Sequence, residues 1–226
     1  MNNRAKIIFL LLFFAFFGNV QANVTTLTGS TVSYTFDDSL LSLFGVPTLS
    51  GDDRLFFTPT NFAVNNGNGF DFQSANMNIT VNALNGGIIY AINLMETGHY
   101  IATGDNPLVD VKGNLQVTDL NTLLPDQKKI ALDNPIIVGS FTLSDWSASA
   151  GLDFTSHSAA AIKVSISNTL TAFLRGNQDV FGFIEKTGLV LGATAAPASV
   201  PLPASLWLFG SALLGFLTLY RTKAYE

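Results

Sequence analysis

Three stretches of the chain alternate strictly between apolar and polar residues, and no other pattern in it narrows the choice of fold as much. Val32, Tyr34 and Phe36 interleave with Thr31, Ser33 and Thr35. Met77, Ile79 and Val81 interleave with Asn78, Thr80 and Asn82, and Ile162, Val164 and Ile166 with Lys163, Ser165 and Ser167. Successive side chains on an extended backbone point to opposite faces, so each stretch turns one face to a core and the other to water. Ile88–Leu94, Val109–Val117, Ile136–Leu143 and Val180–Glu185 are further strand candidates, bounded by Gly, Asn, Asp and Pro. The runs Asn65-Asn66-Gly67-Asn68-Gly69, Asn85-Gly86-Gly87 and Gly176-Asn177 are turn material. Ser39–Phe44 and Asn121–Leu132 are candidates for short helices, the second interrupted by Pro125. No fixed repeat period occurs, which argues against a propeller or solenoid. Many short strands between such turns predict an all-β fold over residues 23–191, an antiparallel β-sandwich or jelly roll. Phe56, Phe62, Phe141, Phe173 and Phe183 fall at strand positions and are expected in its core.

Both ends of the chain have a different character. Arg4 and Lys6 precede Ile7–Phe17, eleven apolar residues without a break; Gly18-Asn19 then interrupts the run, and Val20 and Ala22 stand three residues and one residue before a cut after Ala22. A positive start, a short apolar run and a small-residue site predict a secretory signal peptide over residues 1–22, handled by the general export machinery. At the other end no charge occurs between Lys186 and Arg221. Residues 192–199 are a small-residue linker, Val200-Pro201-Leu202-Pro203 follows, and Ala204–Tyr220 are seventeen uncharged residues before Arg221 and Lys223. As a helix that segment covers roughly 26 Å, the short limit for crossing the hydrocarbon core. The basic residues beyond it would stay on the cytoplasmic side, opposite the exported domain.

Charge follows the same division. Asn23–Ser199 holds 7 of the 11 lysines and arginines and 15 of the 16 acids, a net charge of −8 against −5 for the whole chain. Seven scattered basic residues in an acidic domain exclude an electrostatic nucleic-acid footprint. With no cysteine in the chain there is no disulfide framework, thiolate metal site or cysteine nucleophile.

The run Val200-Pro-Leu-Pro-Ala-Ser-Leu-Trp-Leu-Phe-Gly-Ser-Ala-Leu-Leu-Gly-Phe216 with its basic tail resembles a PEP-CTERM sorting signal. Such signals belong to exported proteins of Gram-negative bacteria that make exopolysaccharide, and are read by a membrane enzyme, an exosortase, that cuts near the Pro-containing motif. The resemblance implies that Val200, Pro201, Leu202 and Pro203 form the recognition motif, Ala204–Tyr220 a transient inner-membrane anchor, and Arg221 and Lys223 the stop signal. Leu202 stands where many members have Glu. A wall-sorting LPxTG signal would need Thr-Gly where this chain has Ala204-Ser205. A GPI signal usually lacks the terminal basic residues. A plain single-pass anchor is the remaining alternative. The phrases Phe36-Asp-Asp-Ser-Leu-Leu41, Leu43-Phe-Gly45 and Glu96-Thr-Gly-His-Tyr100 are similar to other PEP-CTERM passenger domains; the last reads as a strand end, a turn and a strand start.

Chemistry-bearing motifs are sparse. Glu96-x-x-His99 lacks the second histidine of a zinc-protease helix. Asp153, His157 and Ser158 can be written as a hydrolase triad, but no Gly-x-Ser-x-Gly elbow accompanies them. A Gly-rich phosphate loop opening a helix is also missing. The acidic pairs Asp37-Asp38 and Asp52-Asp53 are candidate calcium ligands, although no Asp-x-Asp-x-Asp-Gly loop contains them. Trp146 and Tyr100 are candidate sugar contacts, with core packing the competing role. The sequence therefore predicts a non-enzymatic protein, exported, held briefly at the inner membrane facing the periplasm, and processed to the cell surface or extracellular matrix. There it would be a structural or adhesive component associated with exopolysaccharide. The alternative is a carbohydrate-binding module, with or without calcium.

Overall fold

The computed structural model describes residues 23–66, 69–104, 107–154, 158–174, 181–197, 205 and 208–214. Ala22, the sorting motif Val200–Pro203, the stop signal Arg221 and Lys223, and His157 lie outside the described residues.

The domain is all-β, and every strand pairing in it is antiparallel. In chain order the strands are β1 (Val24–Thr28), β2 (Val32–Asp37), β3 (Thr48–Leu49), β4 (Arg54–Phe57), β5 (Ala63–Asn66) and β6 (Gly69–Ala83). They continue with β7 (Ile88–Thr103), β8 (Leu108–Asp119), β9 (Pro125–Leu132), β10 (Ser140–Asp153), β11 (Ala161–Leu174) and β12 (Phe181–Ala196). Their hydrogen-bonded order is β1-β2-β6-β11-β8-β9-β10-β7-β12-β4-β3, with β5 also on β12. Two sheets face each other across one core. β9 joins them at one side, pairing with β8 from Gly113↔Ile130 to Thr118↔Pro125 and with β10 at Ala148↔Leu132 and Ser149↔Ala131. The result is a nearly closed barrel.

Side-chain hydrogen bonds close the opposite seam. Asp53, in the turn before β4, accepts from the Ser30 N–H and from the Thr31 N–H and hydroxyl, the latter two at 2.8 and 2.6 Å. The Tyr34 hydroxyl donates to the Asp53 carbonyl at 2.5 Å and accepts from the Ala193 N–H at 3.2 Å, tying β2 to the turn before β4 and to β12. Gly29 is required beside this knot, because a Cβ there would overlap the Asp53 carboxylate.

The alternating residues fill the interior as the pattern predicts. Val32, Tyr34 and Phe36, Met77, Ile79 and Val81, and Ile162, Val164 and Ile166 are all buried. Each large apolar side chain withdrawn from water contributes about 1.5–3 kcal/mol.

Several expectations are corrected. Asn121–Leu132 is not helical: Pro125–Leu132 is strand β9, with Ile130 its one buried residue. The short helix expected at Ser39–Phe44 is present as two short 3-10 helices, Asp38–Leu40 and Ser42–Phe44. Glu96–Tyr100 contains no turn, because β7 runs unbroken through Gly98, which pairs with Trp146 on one side and Lys186 on the other. The strand expected at Ile136–Leu143 begins only at Ser140. Of the five phenylalanines expected inside, Phe62 is core, Phe173 and Phe183 are half-buried, and Phe56 and Phe141 are exposed, Phe141 stacking against Phe181 at 5.5 Å. Residues 205 and 208–214 are helical and exposed. Among the described residues no helix is long and apolar enough to cross a membrane.

Candidate functional site

The acidic pairs do not assemble. Asp37 accepts from the Ser39 N–H and hydroxyl, and Asp38 from Asn23 Nδ2 and Thr25 Oγ1. Asp52 accepts from the Ser50 hydroxyl and sits 3.3 Å from Arg54 Nε; the Ser50 bond, chiefly, holds its carboxyl below the ordinary range. Asp53 is committed to the seam. Among the described residues no three acidic or histidine side chains gather as metal ligands would.

Trp146 and Tyr100 do come together. Both line a cleft of about 470 Å³ with Thr97, His99, Pro135 and Asp145. His99 Nδ1 lies 2.7 Å from Asp145 Oδ1 at its edge. Neither aromatic offers a stacking face, each being only 5% exposed. The Trp146 indole N–H donates to the Glu185 carbonyl at 3.0 Å, and Tyr100 Oη accepts from the Ile137 N–H at 3.0 Å. Trp146 lies over Gly98, where a Cβ would come within 2.6 Å of the indole ring.

Beneath Trp146 is a polar constellation sealed in the core. On β7 the inward positions run Leu94, Glu96, Gly98, Tyr100; on β12 they run Gly182, Ile184, Lys186; on β11 they run Val164, Ile166, Asn168, Leu170. Glu96, Lys186 and Asn168 thus take core positions on strands of two facing sheets. The side chains of Glu96 and Lys186 are fully buried. Asn168 Nδ2 donates to Glu96 Oε1 at 2.6 Å, and Lys186 Nζ sits 2.8 Å from Glu96 Oε2. The second contact is a close ion pair. Asn168 Oδ1 has no hydrogen-bond partner among the described residues.

Local structure holds these groups in place. The register of β12 on β7 shifts between Lys186 and Gly188, a bulge of the kind that re-aims a side chain. At that bulge the Lys186 N–H donates to the Phe62 carbonyl at 2.9 Å. The rings of Phe62, Phe44 and Trp146 then surround Nζ at 5.3, 5.6 and 6.0 Å from their centroids. Phe44 meets Phe62 edge to face. Beside Asn168, Gly113 of β8 leaves the space its amide occupies. Burial pushes the Lys186 amine down from 10.5 to about 8, against the opposing pull of Glu96. A carboxylate touching both an amine and a carboxamide, in an aromatic enclosure, is equipped for proton transfer between two nitrogens.

In the sequence Glu96 stands out only against a zinc motif, and Lys186 only as the edge of an uncharged tract. A signal was present: each of the three polar residues stands in phase with the apolar positions of its own strand, where an alternating strand should carry none.

No protein-family model and no characterised protein matches the sequence. Two solved structures of infectious bursal disease virus are similar to part of it. The Gx strain structure is 10% identical with a TM-score of 0.26, over 75% of this chain and 47% of that one. The Gt strain structure is 9% identical with a TM-score of 0.22, over 81% and 60%. The chain spans about half the length of the solved chains it matches. A likeness at this level bears on neither fold nor function.

Proposed function

We propose that the chain is an exosortase-processed surface or matrix protein, a non-enzymatic structural or adhesive component of an exopolysaccharide matrix. The observation that carries this reading is the C-terminal sequence: the Val200–Pro203 motif, seventeen uncharged residues, and the basic pair Arg221 and Lys223. An N-terminal export signal ending at Ala22 is consistent with it. Two structural features support it. The last strand ends at Ala196, and beyond it residues 208–214 are helical with Leu208, Phe209, Leu213 and Leu214 exposed, as suits a segment whose partner is lipid rather than the domain. The domain that precedes it is all-β and antiparallel, read in finer terms as a β-sandwich with a core of its own.

The test is to express the full chain in a host with its own exosortase and in a strain deleted for that enzyme, and to measure intact masses. Loss of residues 1–22 in both hosts, with loss of the Ala204–Glu226 region only in the competent one, is the expected result. A tail retained in both refutes the sorting assignment and leaves a single-pass anchored domain.

A further inference from the structure

Lys186, Glu96 and Asn168 raise a question that packing alone does not answer. An ion pair in a core is commonly neutral or unfavourable beside an apolar replacement of the same volume, so its presence asks for a use. Here it comes with a third group, a carboxamide whose nitrogen is held by the same carboxylate that touches the amine. An amine, a carboxamide and a shared proton carrier are the reactants of an amide exchange.

We propose that Lys186 and Asn168 join in a spontaneous intramolecular isopeptide bond, with Glu96 as the catalytic proton carrier. Lys186 Nζ attacks Asn168 Cγ; the Nζ–Cγ bond forms and the Cγ–Nδ2 bond breaks. Of the three protons on the Lys186 ammonium, one stays on the new amide nitrogen. One passes through Glu96 to the departing nitrogen, which leaves as ammonia. The third remains on Glu96, which ends as a neutral acid. No oxidant, metal or cofactor enters the balance.

Each structural detail has a place in this reaction. Glu96 Oε2 faces the nitrogen that must lose protons, and Glu96 Oε1 faces the nitrogen that must gain one, at 2.8 and 2.6 Å. Asn168 Oδ1 accepts no hydrogen bond among the described residues, so the amide is oriented through Nδ2 on Glu96. Phe44, Phe62 and Trp146 enclose Lys186 Nζ, and Asn168 is only 2% exposed, so water is kept from competing at Asn168 Cγ. An amine held down to about 8 is neutral in about a tenth of molecules at pH 7, enough for a reaction that need happen once per chain. The product replaces two buried charges by neutral groups, which removes the desolvation cost of the pair. Because β11 and β12 belong to facing sheets, the bond would link them covalently through the core.

The experiment is intact mass and tryptic mapping of the purified full-chain protein, with its termini defined by the map. The expected result is a deficit of about 17 Da, one ammonia, and a branched peptide in which Lys186 is joined to Asn168 and no longer cut by trypsin. Asn168→Asp should instead lose about 18 Da, one water, and Lys186→Met should keep its full mass. Glu96→Gln should stay unlinked or link only slowly. Linear peptides for both residues in the parent protein, at neutral pH and after incubation at pH 9, overturn the proposal and leave a structural ion pair. A 17 Da deficit traced to another position overturns it equally. The parent measurement needs no variant to fold and is indifferent to whether the tail is processed.

Discussion

Replacing Tyr34 by Phe removes one oxygen and leaves the ring, so its effect isolates the seam between β2 and β12. The hydroxyl is fully buried, donates to the Asp53 carbonyl at 2.5 Å and accepts from the Ala193 N–H at 3.2 Å. The Tyr34→Phe variant would leave both backbone groups without that partner. An unsatisfied buried group costs about 1–3 kcal/mol; Ala193 is half-buried and regains some of its loss from water, so we expect a total of about 2–4 kcal/mol. For a chain of this length that is a fall in Tm on the order of 10 °C. Burial raises the Tyr34 hydroxyl well above its ordinary range, so it stays neutral throughout and the difference should not vary between pH 6 and 9. Urea unfolding followed by intrinsic fluorescence measures the change, and an unaltered m-value would show that the unfolded state is unaffected. Asp53→Ala should be non-additive with Tyr34→Phe, because freeing the Asp53 turn already loosens the carbonyl the hydroxyl holds. A loss below about 0.5 kcal/mol, or strict additivity, would refute the idea that these bonds close the barrel.

Two further outcomes follow from the buried cluster. In Asn168→Ala no bond can form, and Lys186 stays a titratable amine that burial holds down, to about 8 against an ordinary 10.5 with Asn168 in place. Below pH 8 both states hold the proton; between about 8 and 10.5 only the unfolded chain does, so stability should rise with pH across that window by about 3 kcal/mol. The rise is read as the difference in urea unfolding between Asn168→Ala and Asn168→Ala/Lys186→Met, and a flat difference would contradict the burial of a charged lysine. Gly113→Ala places a Cβ 2.6 Å from the Ser167 carbonyl oxygen and 2.9 Å from Asn168 Nδ2. We expect about 1–3 kcal/mol of destabilisation and an incomplete mass deficit, checked by unfolding and intact mass; full linkage at parental stability would show that Gly113 does not position the amide.

Legibility in the sequence tracked how each element meets the core. β2, the middle of β6 and β11 were readable because their buried residues recur every second position without exception. β9 was not, since Pro-Asp-Gln-Lys-Lys-Ile-Ala-Leu buries only Ile130 and is held by backbone pairing that leaves no side-chain pattern. Gly98 looked like a turn because a glycine beside polar residues usually is one; here it is a strand residue whose missing side chain makes room for Trp146. The acidic pairs stood out in sequence but bond locally, whereas Glu96, Asn168 and Lys186 lie far apart in sequence and meet only through the pairing of β7 with β12 and the facing of β11. Composition could register such residues but not their convergence.

β9 also matters for what the protein avoids. A strand at the end of a sheet displays a row of free N–H and C=O groups, which a second molecule can use as a template for aggregation. In a chain with only 12% charged residues, little long-range repulsion opposes such an encounter. β9 occupies the free side of β8 over six residue pairs and reaches β10 at two more. It brings Pro125, Asp126, Lys128 and Lys129 to that border, all exposed. Proline cannot donate to an added strand, and the charges would have to be desolvated to admit one. A strand that buries only Ile130 is therefore also a guard against self-assembly, and variants that loosen it should precipitate before they lose their core.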